Sequence, residues 1–297
     1  MKTIDTLITD IYEVIKGKGG WDQTYSDWLA HQISKSATDR FLTKEERQQV
    51  LRPSMMGSYC DREIWYKLNL PLSQEPLPAE ALGTFFYGDI IEQLVLALAL
   101  AAGHKVECVQ EPIEIHGIKG TADAVIDGWL VDVKSASGIA FDKFKYNRLK
   151  GFWKKVKNEE VWVPQEKADS FGYIGQLSTY LAAFQDDDRV VEKNKAAFLA
   201  VNKERFKLAL DVYDLTEEVA DKEAQIVRLK AMVEGDLPEE RLPDIPDGES
   251  GNKKLDTKCS YCSFKDVCWP ELRTFIYSNG PRFLTHVEKE PNVPEAA

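Results

Sequence analysis

The segment Gly120-Thr-Ala-Asp-Ala-Val-Ile-Asp-Gly-Trp-Leu-Val-Asp-Val-Lys-Ser135 constrains the fold more than any other stretch of this 297-residue chain. Two apolar, β-branched runs are joined by Asp127-Gly128, the dipeptide best suited to the two positive-φ positions of a type I′ hairpin turn. With those residues as the loop, Ile126 pairs with Trp129, and counting back sets Asp123 opposite Asp132. Like charges facing each other across a ladder destabilise a sheet. The register therefore points to a divalent cation between them, and carboxylate oxygens suit Mg²⁺ or Mn²⁺. Side chains alternate faces along a strand, so Lys134 shares the face of Asp132, above a wall built by Val125, Leu130, Val131 and Val133. An ammonium group there can orient a water and stabilise the charge of a phosphoryl transition state. The bland alternative is a solvated hairpin with a polar face, and Asp-x-Lys alone decides little between the two.

Around the hairpin the apolar pattern switches between helical and strand periods. Leu7, Ile8, Ile11 and Ile15 recur at helical spacing, giving a helical N-terminal region over 1–57. Further helices are expected over 58–68, 80–102 (stopped by Gly103), 170–184 and 216–234. Strands are expected over 104–109, 113–116, 121–126, 129–135, 196–201 and 206–213. Residues 235–254 read as a loop, and the tail 271–297, with Pro281, Pro291 and Pro294, as poorly ordered at its end. The fold class is α/β, in the mixed α+β sense: a central mixed sheet flanked by helices, with the core domain over 58–270.

Composition narrows the function. At 43% hydrophobic residues the chain can bury a substantial core. The apolar run 90–102 contains Glu92 and is too short to span a bilayer, so no membrane segment is expected. Residues 1–20 carry Asp5, Asp10 and Glu13 without a signal-peptide apolar stretch, which reads as an intracellular, cytoplasmic protein. A formal charge of -11 argues against nucleic-acid binding by the whole surface. A local patch runs against that charge: Lys143, Lys145, Arg148, Lys150, Lys154, Lys155 and Lys157, interleaved with Phe144, Tyr146, Phe152 and Trp153. Such a patch fits DNA, with lysines on phosphates and aromatics stacked on unpaired bases at about 1–3 kcal/mol each. Arg62 and Lys203 are further candidate phosphate contacts. No Walker-type glycine loop is present, so no helicase motor is built in.

Asp123 followed by the hairpin and Asp132-x-Lys134 resembles the signature of the PD-(D/E)XK nucleases. Gln176-Leu-Ser-Thr-Tyr180 resembles the Q-x-x-x-Y motif of their RecB-like branch, and one helix face would carry both residues. Gly88-Asp-Ile-Ile-Glu92 stands where that branch has G-x-x-x-H. Here Glu92 takes the histidine position, an adequate hard-cation ligand, with Asp89 as a rival. The five cysteines are an odd number, better explained by metal ligation than by disulfides. Cys60 and the run Cys259-x2-Cys262-x5-Cys268 enclose the core as in the iron–sulfur members of the branch: the CRISPR-associated adaptation nuclease, the AddB nuclease domain and phage exonucleases. Cys108, in an expected strand, reads as a small buried hydrophobe.

The resemblance implies a restriction-endonuclease-like sheet and a [4Fe–4S] cluster on the four cysteines, with Zn²⁺ as the competing occupant. It further implies a cation held by Glu92, Asp123, Asp132 and the Val133 carbonyl, with Lys134 catalytic and Gln176 and Tyr180 positioning the substrate. The implied activity is exonucleolytic cleavage of DNA, preferring single-stranded ends, in phage or bacterial recombination, replication or repair. A helicase or recombination protein would act in trans, and an oligomer is compatible. The rivals are a structure-specific endonuclease and a non-catalytic DNA-binding iron–sulfur assembly protein.

Overall fold

The computed structural model describes residues 2–42, 49–71, 77–156 and 159–296; Lys157 lies outside them. In chain order the helices are α1 Leu7–Ile15, α2 Gln23–Phe41, α3 Asp61–Asn69, α4 Ala79–Ala101, α5 Gly138–Lys145, α6 Gln165–Ala168, α7 Tyr173–Ala183, α8 Thr216–Ala220, α9 Lys222–Glu234, α10 Thr257–Ser260 and α11 Lys265–Cys268. The strands are β1 Val106–Glu107, β2 Glu111–Ile115, β3 Ile118–Ala122, β4 Ala124–Ile126, β5 Trp129–Ala136, β6 Phe152–Val156, β7 Glu159–Val163, β8 Lys195–Asn202, β9 Lys207–Asp214, β10 Ile245–Pro246, β11 Lys253–Lys254, β12 Arg273–Tyr277 and β13 Gly280–His286. The fold is of the mixed α/β class. It divides into two compact units, and the division differs from the sequence-based domains: one unit takes the described parts of 1–48, 52–57 and 77–226, the other 49–51, the described parts of 58–76, and 227–296.

The first unit is built on a five-stranded sheet in the order β1-β4-β5-β8-β9, antiparallel except for the parallel pair β5/β8. A parallel pair needs a long crossover, and here it carries α5, the β6–β7 hairpin, α6 and α7. β8 reads Ala-Ala-Phe-Leu-Ala-Val over 196–201 and is fully buried, as a central strand covered on both faces must be. Ala196, Phe198 and Ala200 meet the side of α5 and α7, whereas Ala197, Leu199 and Val201 meet the side of α1 and α4. By length and composition α4 is a described helix that could cross a membrane. Its Val95, Leu96, Ala97 and Ala99 are instead fully buried in this core.

The hairpin takes the expected register, with Ile126 opposite Trp129 and positive φ at both Asp127 (51°) and Gly128 (82°). The turn is tied down from outside. The Asp127 carboxylate accepts from the Lys105 amide at 3.0 Å and meets buried His104 Nδ1 at 2.6 Å, while His104 Nε2 lies 3.3 Å from Asp10 on α1. The expected strand over 121–126 is broken at Asp123, and the one over 104–109 shrinks to two residues because Cys108 and Gln110 are left-handed (φ 53° and 49°). The expected helix over 216–234 is divided at Asp221.

α7 is seated by backbone contact. Gly172 opens it at φ 74°, and a Cβ on Gly175 or Gly57 would overlap the backbone of the facing segment. Asp169 caps the helix, accepting from the amides of Tyr173 (2.8 Å) and Ile174 (2.9 Å). Gly175→Ala is expected to cost about 1–3 kcal/mol by overpacking, read as a lower urea midpoint with an unchanged slope.

In the second unit α3 packs Tyr66 against Phe264, stacked at 5.6 Å. Trp65 Nε1 donates to the Gly235 carbonyl at 2.9 Å. The tail is not loose. β12 and β13 form a hairpin in a four-stranded sheet ordered β10-β11-β13-β12, and residues 294–296 bond to the outer edge of β12. Phe275 and Leu284 are buried there, and Arg273 grips Glu290 and Glu295.

Candidate active site

Three carboxylates gather in the first unit where α4 crosses β5. Gly88 lets the helix approach, since a Cβ there would lie 3.2 Å from Ser135 Oγ. One turn on, Glu92 points toward Asp123, while Asp89 is drawn away into an ion pair with Arg40 at 2.6 Å. Of the two acids, Glu92 is the one that stands with Asp123 and Asp132. Asp123 sits in the break between β3 and β4, and its Oδ2 accepts from the Val133 amide at 2.8 Å. The Val133 N–H is thus spent on positioning Asp123. Asp132 is buried, and its Oδ2 lies 2.6 Å from Lys134 Nζ on the same strand face.

Lys134 links the carboxylates to α7. Its Nζ donates to Gln176 Oε1 at 3.4 Å, and Gln176 Nε2 donates to Tyr180 Oη at 2.9 Å. The Tyr173 ring lies 5.2 Å from the ammonium group, an attraction that stabilises its charge. Gln176 and Tyr180, the latter buried, are therefore linked to Lys134 by a continuous hydrogen-bonded chain.

The electrostatics are those of a site short of positive charge. Burial, then the neighbouring Asp123, pushes the Glu92 carboxyl well above its ordinary value. Burial, then Asp132, pushes Asp123 up to about 7. Burial also raises Asp132, against the pull of Lys134. For Lys134 burial works downward, but Asp132 and Asp123 outweigh it and hold the ammonium charged. Unfolded aspartate titrates near about 3.9. A raised folded value favours the neutral form, so its stability contribution is fully present below about pH 4 and lost as pH rises through about 7. In EDTA, wild-type Tm is expected to fall relative to Asp123→Asn across that window, measured by calorimetry at matched ionic strength.

Sequence reasoning missed two residues here. Tyr173 stands one helical turn before Gln176. Gln110, on the short connection between β1 and β2, donates through Nε2 to Glu92 Oε1 at 2.5 Å and to Asp123 Oδ1 at 3.5 Å. Nothing in the string Val109-Gln-Glu111 signals this.

The basic segment is only partly available to a ligand. Lys143 donates to the Ala168 carbonyl at 2.7 Å, and Lys150 to the Asp214 carbonyl at 2.6 Å while pairing with Glu218. Lys145 bonds Tyr146, and Arg148 lies over the rings of Tyr146 and Phe152, 4.9 Å from each. Lys145 and Tyr146 are exposed, as is the β6–β7 hairpin, where Trp153 pairs across the strands with Trp162, ring centres 5.4 Å apart, beside exposed Lys154 and Lys155. Lys203 lies just past β8, and its carbonyl accepts from Tyr87. Arg62 belongs to the second unit, where it donates to the Pro238 carbonyl at 2.8 Å and to Tyr66 Oη at 2.8 Å. Those bonds engage both of its terminal nitrogens within that unit.

Also in the second unit, Cys60, Cys259, Cys262 and Cys268 line one small pocket, of about 20 Å³, with Glu63, Tyr66 and Trp269. All are free thiols. Cys60 takes the N-cap position of α3, α10 carries Cys259, α11 carries Cys268, and the connection between them carries Cys262. Burial raises Cys60, and raises Cys259 to about 12 and Cys262 to about 11, with mutual repulsion among the thiolates adding to the rise at Cys259. Cys108, buried beside Glu111 in the first unit, is a separate residue of the core. Among the described residues, no three His, Cys, Asp or Glu side chains form a preset metal cage. The donor chemistry nevertheless fits: hard oxygens on buried and part-buried, mutually repelling acids in one unit, and four thiols lining one cavity in the other.

No family model and no curated protein matches the chain. Among solved structures, one described as the crystal structure of SSO0001 aligns over 80% of this chain and 95% of its own at 17% identity, with a TM-score of 0.38. A likeness that slight carries no argument.

Proposed function

We propose that this chain is a divalent-metal-dependent deoxyribonuclease that shortens single-stranded DNA from its ends, as the resemblance to the RecB-like PD-(D/E)XK branch implies. One observation carries the reading: a lysine held charged by buried Asp132 continues through Gln176 to Tyr180, beside two further, part-buried acids, Glu92 and Asp123. Structural salt bridges seldom need three acids for one base.

Glu92, Asp123 and Asp132 would hold Mg²⁺ or Mn²⁺, which when bound supplies Lewis acidity and neutralises phosphate charge. The residues of the chain do the rest. The Lys134 ammonium stabilises the extra charge on the scissile phosphate and orients a water for attack. Gln176, bonded on both sides, fixes the height of that ammonium. Tyr180, whose hydroxyl burial and then Asp132 hold neutral, steadies the Gln176 amide. Trp153 and Trp162 offer faces for stacking unpaired bases, with Lys154 and Lys155 on phosphates. The four-cysteine pocket is read as the seat of a [4Fe–4S] cluster that ties α3 to the α10–α11 segment.

The test is incubation of anaerobically purified protein with end-labelled single-stranded DNA in Mn²⁺, in Mg²⁺ and in EDTA. Metal-dependent shortening is expected, with closed circular single strands left intact. Cleaved circles would make the enzyme an endonuclease. DNA binding without cleavage in either metal would leave a non-catalytic binding module and end this proposal.

A further inference from the structure

Gln110 is placed at some conformational expense. Both it and Cys108 are left-handed, a region that side chains with a Cβ rarely adopt and that persists only where surroundings over-determine it. The surroundings do so. The Gln110 amide N–H donates to the Asp123 carbonyl at 3.0 Å, and the next residue, Glu111, is gripped by both terminal nitrogens of Arg189 at 2.7 and 2.6 Å. Arg189 is in turn held by Asp187. The product of this anchoring is one carboxamide aimed between two acids, its N–H groups toward Glu92 Oε1 and Asp123 Oδ1. Gln93 Nε2 supports the same Glu92 oxygen at 2.9 Å.

We infer that Gln110 is a positioning residue for the cation: its carboxamide holds Glu92 and Asp123 in the arrangement that binds Mg²⁺ or Mn²⁺. A neutral amide suits that task, because it offers hydrogen-bond donors to two acids without bringing a charge that would compete with the cation. Partners that orient metal ligands in this way are commonly worth about 10–100-fold in metal affinity. The inference rests on the metal-site reading of the Proposed function, and it assigns Gln110 no contact with substrate.

The experiment titrates the full chain with MnCl₂ by calorimetry and measures Tm in EDTA and in saturating Mn²⁺, for wild type, Gln110→Met and Gln110→Gly. Methionine keeps the volume and loses the amide; glycine loses the amide and relieves the left-handed strain. Both variants are expected to bind Mn²⁺ roughly 10-fold more weakly or worse, and their Tm deficit relative to wild type is expected to widen when Mn²⁺ is added. A purely structural residue would give the same deficit in both buffers, with unchanged Mn²⁺ affinity. That result, or tighter binding, overturns the inference while leaving the nuclease reading intact. A wild-type chain that binds no Mn²⁺ overturns both.

Discussion

Asp132→Asn and Lys134→Ala are both expected to lower the single-turnover rate of metal-dependent cleavage by roughly 10³-fold or more, and for different reasons. Asp132 is a buried acid whose charge is held by Lys134 and, on the proposed reading, would be needed by the cation. Replacing it with the near-isosteric amide removes a hard anionic ligand, so Mn²⁺ affinity and rate should fall together. Lys134 is not a ligand. Its loss should leave Mn²⁺ binding nearly unchanged or tighter, since a competing cation is gone, while the rate at saturating Mn²⁺ collapses. Lys134→Ala also strands Asp132 without its partner, which in a buried pair commonly costs about 3–5 kcal/mol. Lys134→Met, which preserves the packing volume, therefore belongs in the same series. Rates measured under single turnover, with binding measured separately on labelled DNA, separate the two effects. If Lys134→Met cleaved at the wild-type rate with its fold intact, the catalytic assignment would be lost. A milder loss is expected for Gln176→Ala, which frees the ammonium on the α7 side without removing its charge.

How much of this site was legible in the chain follows from which physical signals are local. The Asp127-Gly128 turn fixes a register by itself, and the period of two then places Asp132 and Lys134 on one face. Gly88 and Glu92 were readable because a helix repeats every four residues or so, whereas the ion pair that engages the rival Asp89 was not, because it depends on Arg40, forty-nine positions away. Gln110 was invisible for a related reason. Its conformation is imposed by the Glu111–Arg189 grip, a tertiary contact with no mark in the neighbouring residues. The charge of Lys143, Lys150 and Arg62 was legible and their occupation was not. A lysine bonded to a carbonyl reads the same in sequence as one waiting for a phosphate. The tail is the opposite case. Arg273–Tyr277 is rich in β-branched and aromatic residues and is followed by Asn279-Gly280, a hairpin signal that the nearby prolines obscured.

The second large effect is expected in the cysteine pocket. Buried thiols with raised pKa values stay neutral at pH 7, and Cys259 at about 12 is the furthest from ionising. Cys60, Cys259, Cys262 and Cys268 share one cavity of this unit with the apolar groups Tyr66, Leu242 and Trp269. A bound metal centre would convert the thiols to thiolates and release their protons, so its free energy becomes folding free energy for this unit. Protein purified without oxygen is therefore expected to be brown and to carry about four irons per chain. Cys60→Ser and Cys259→Ser are each expected to lose the iron and the colour and to drop the first thermal transition on the order of 10 °C. Early trypsin cleavage within 58–76 or after Lys258 should accompany that loss. Cys108→Ala, outside the pocket, should keep full iron content. One zinc per colourless chain, lost in the same serine variants, would keep the four-thiol site and replace the cluster with Zn²⁺. Iron and zinc both absent, with all five thiols reacting with a thiol reagent in the folded protein, would instead make the pocket an ordinary cavity.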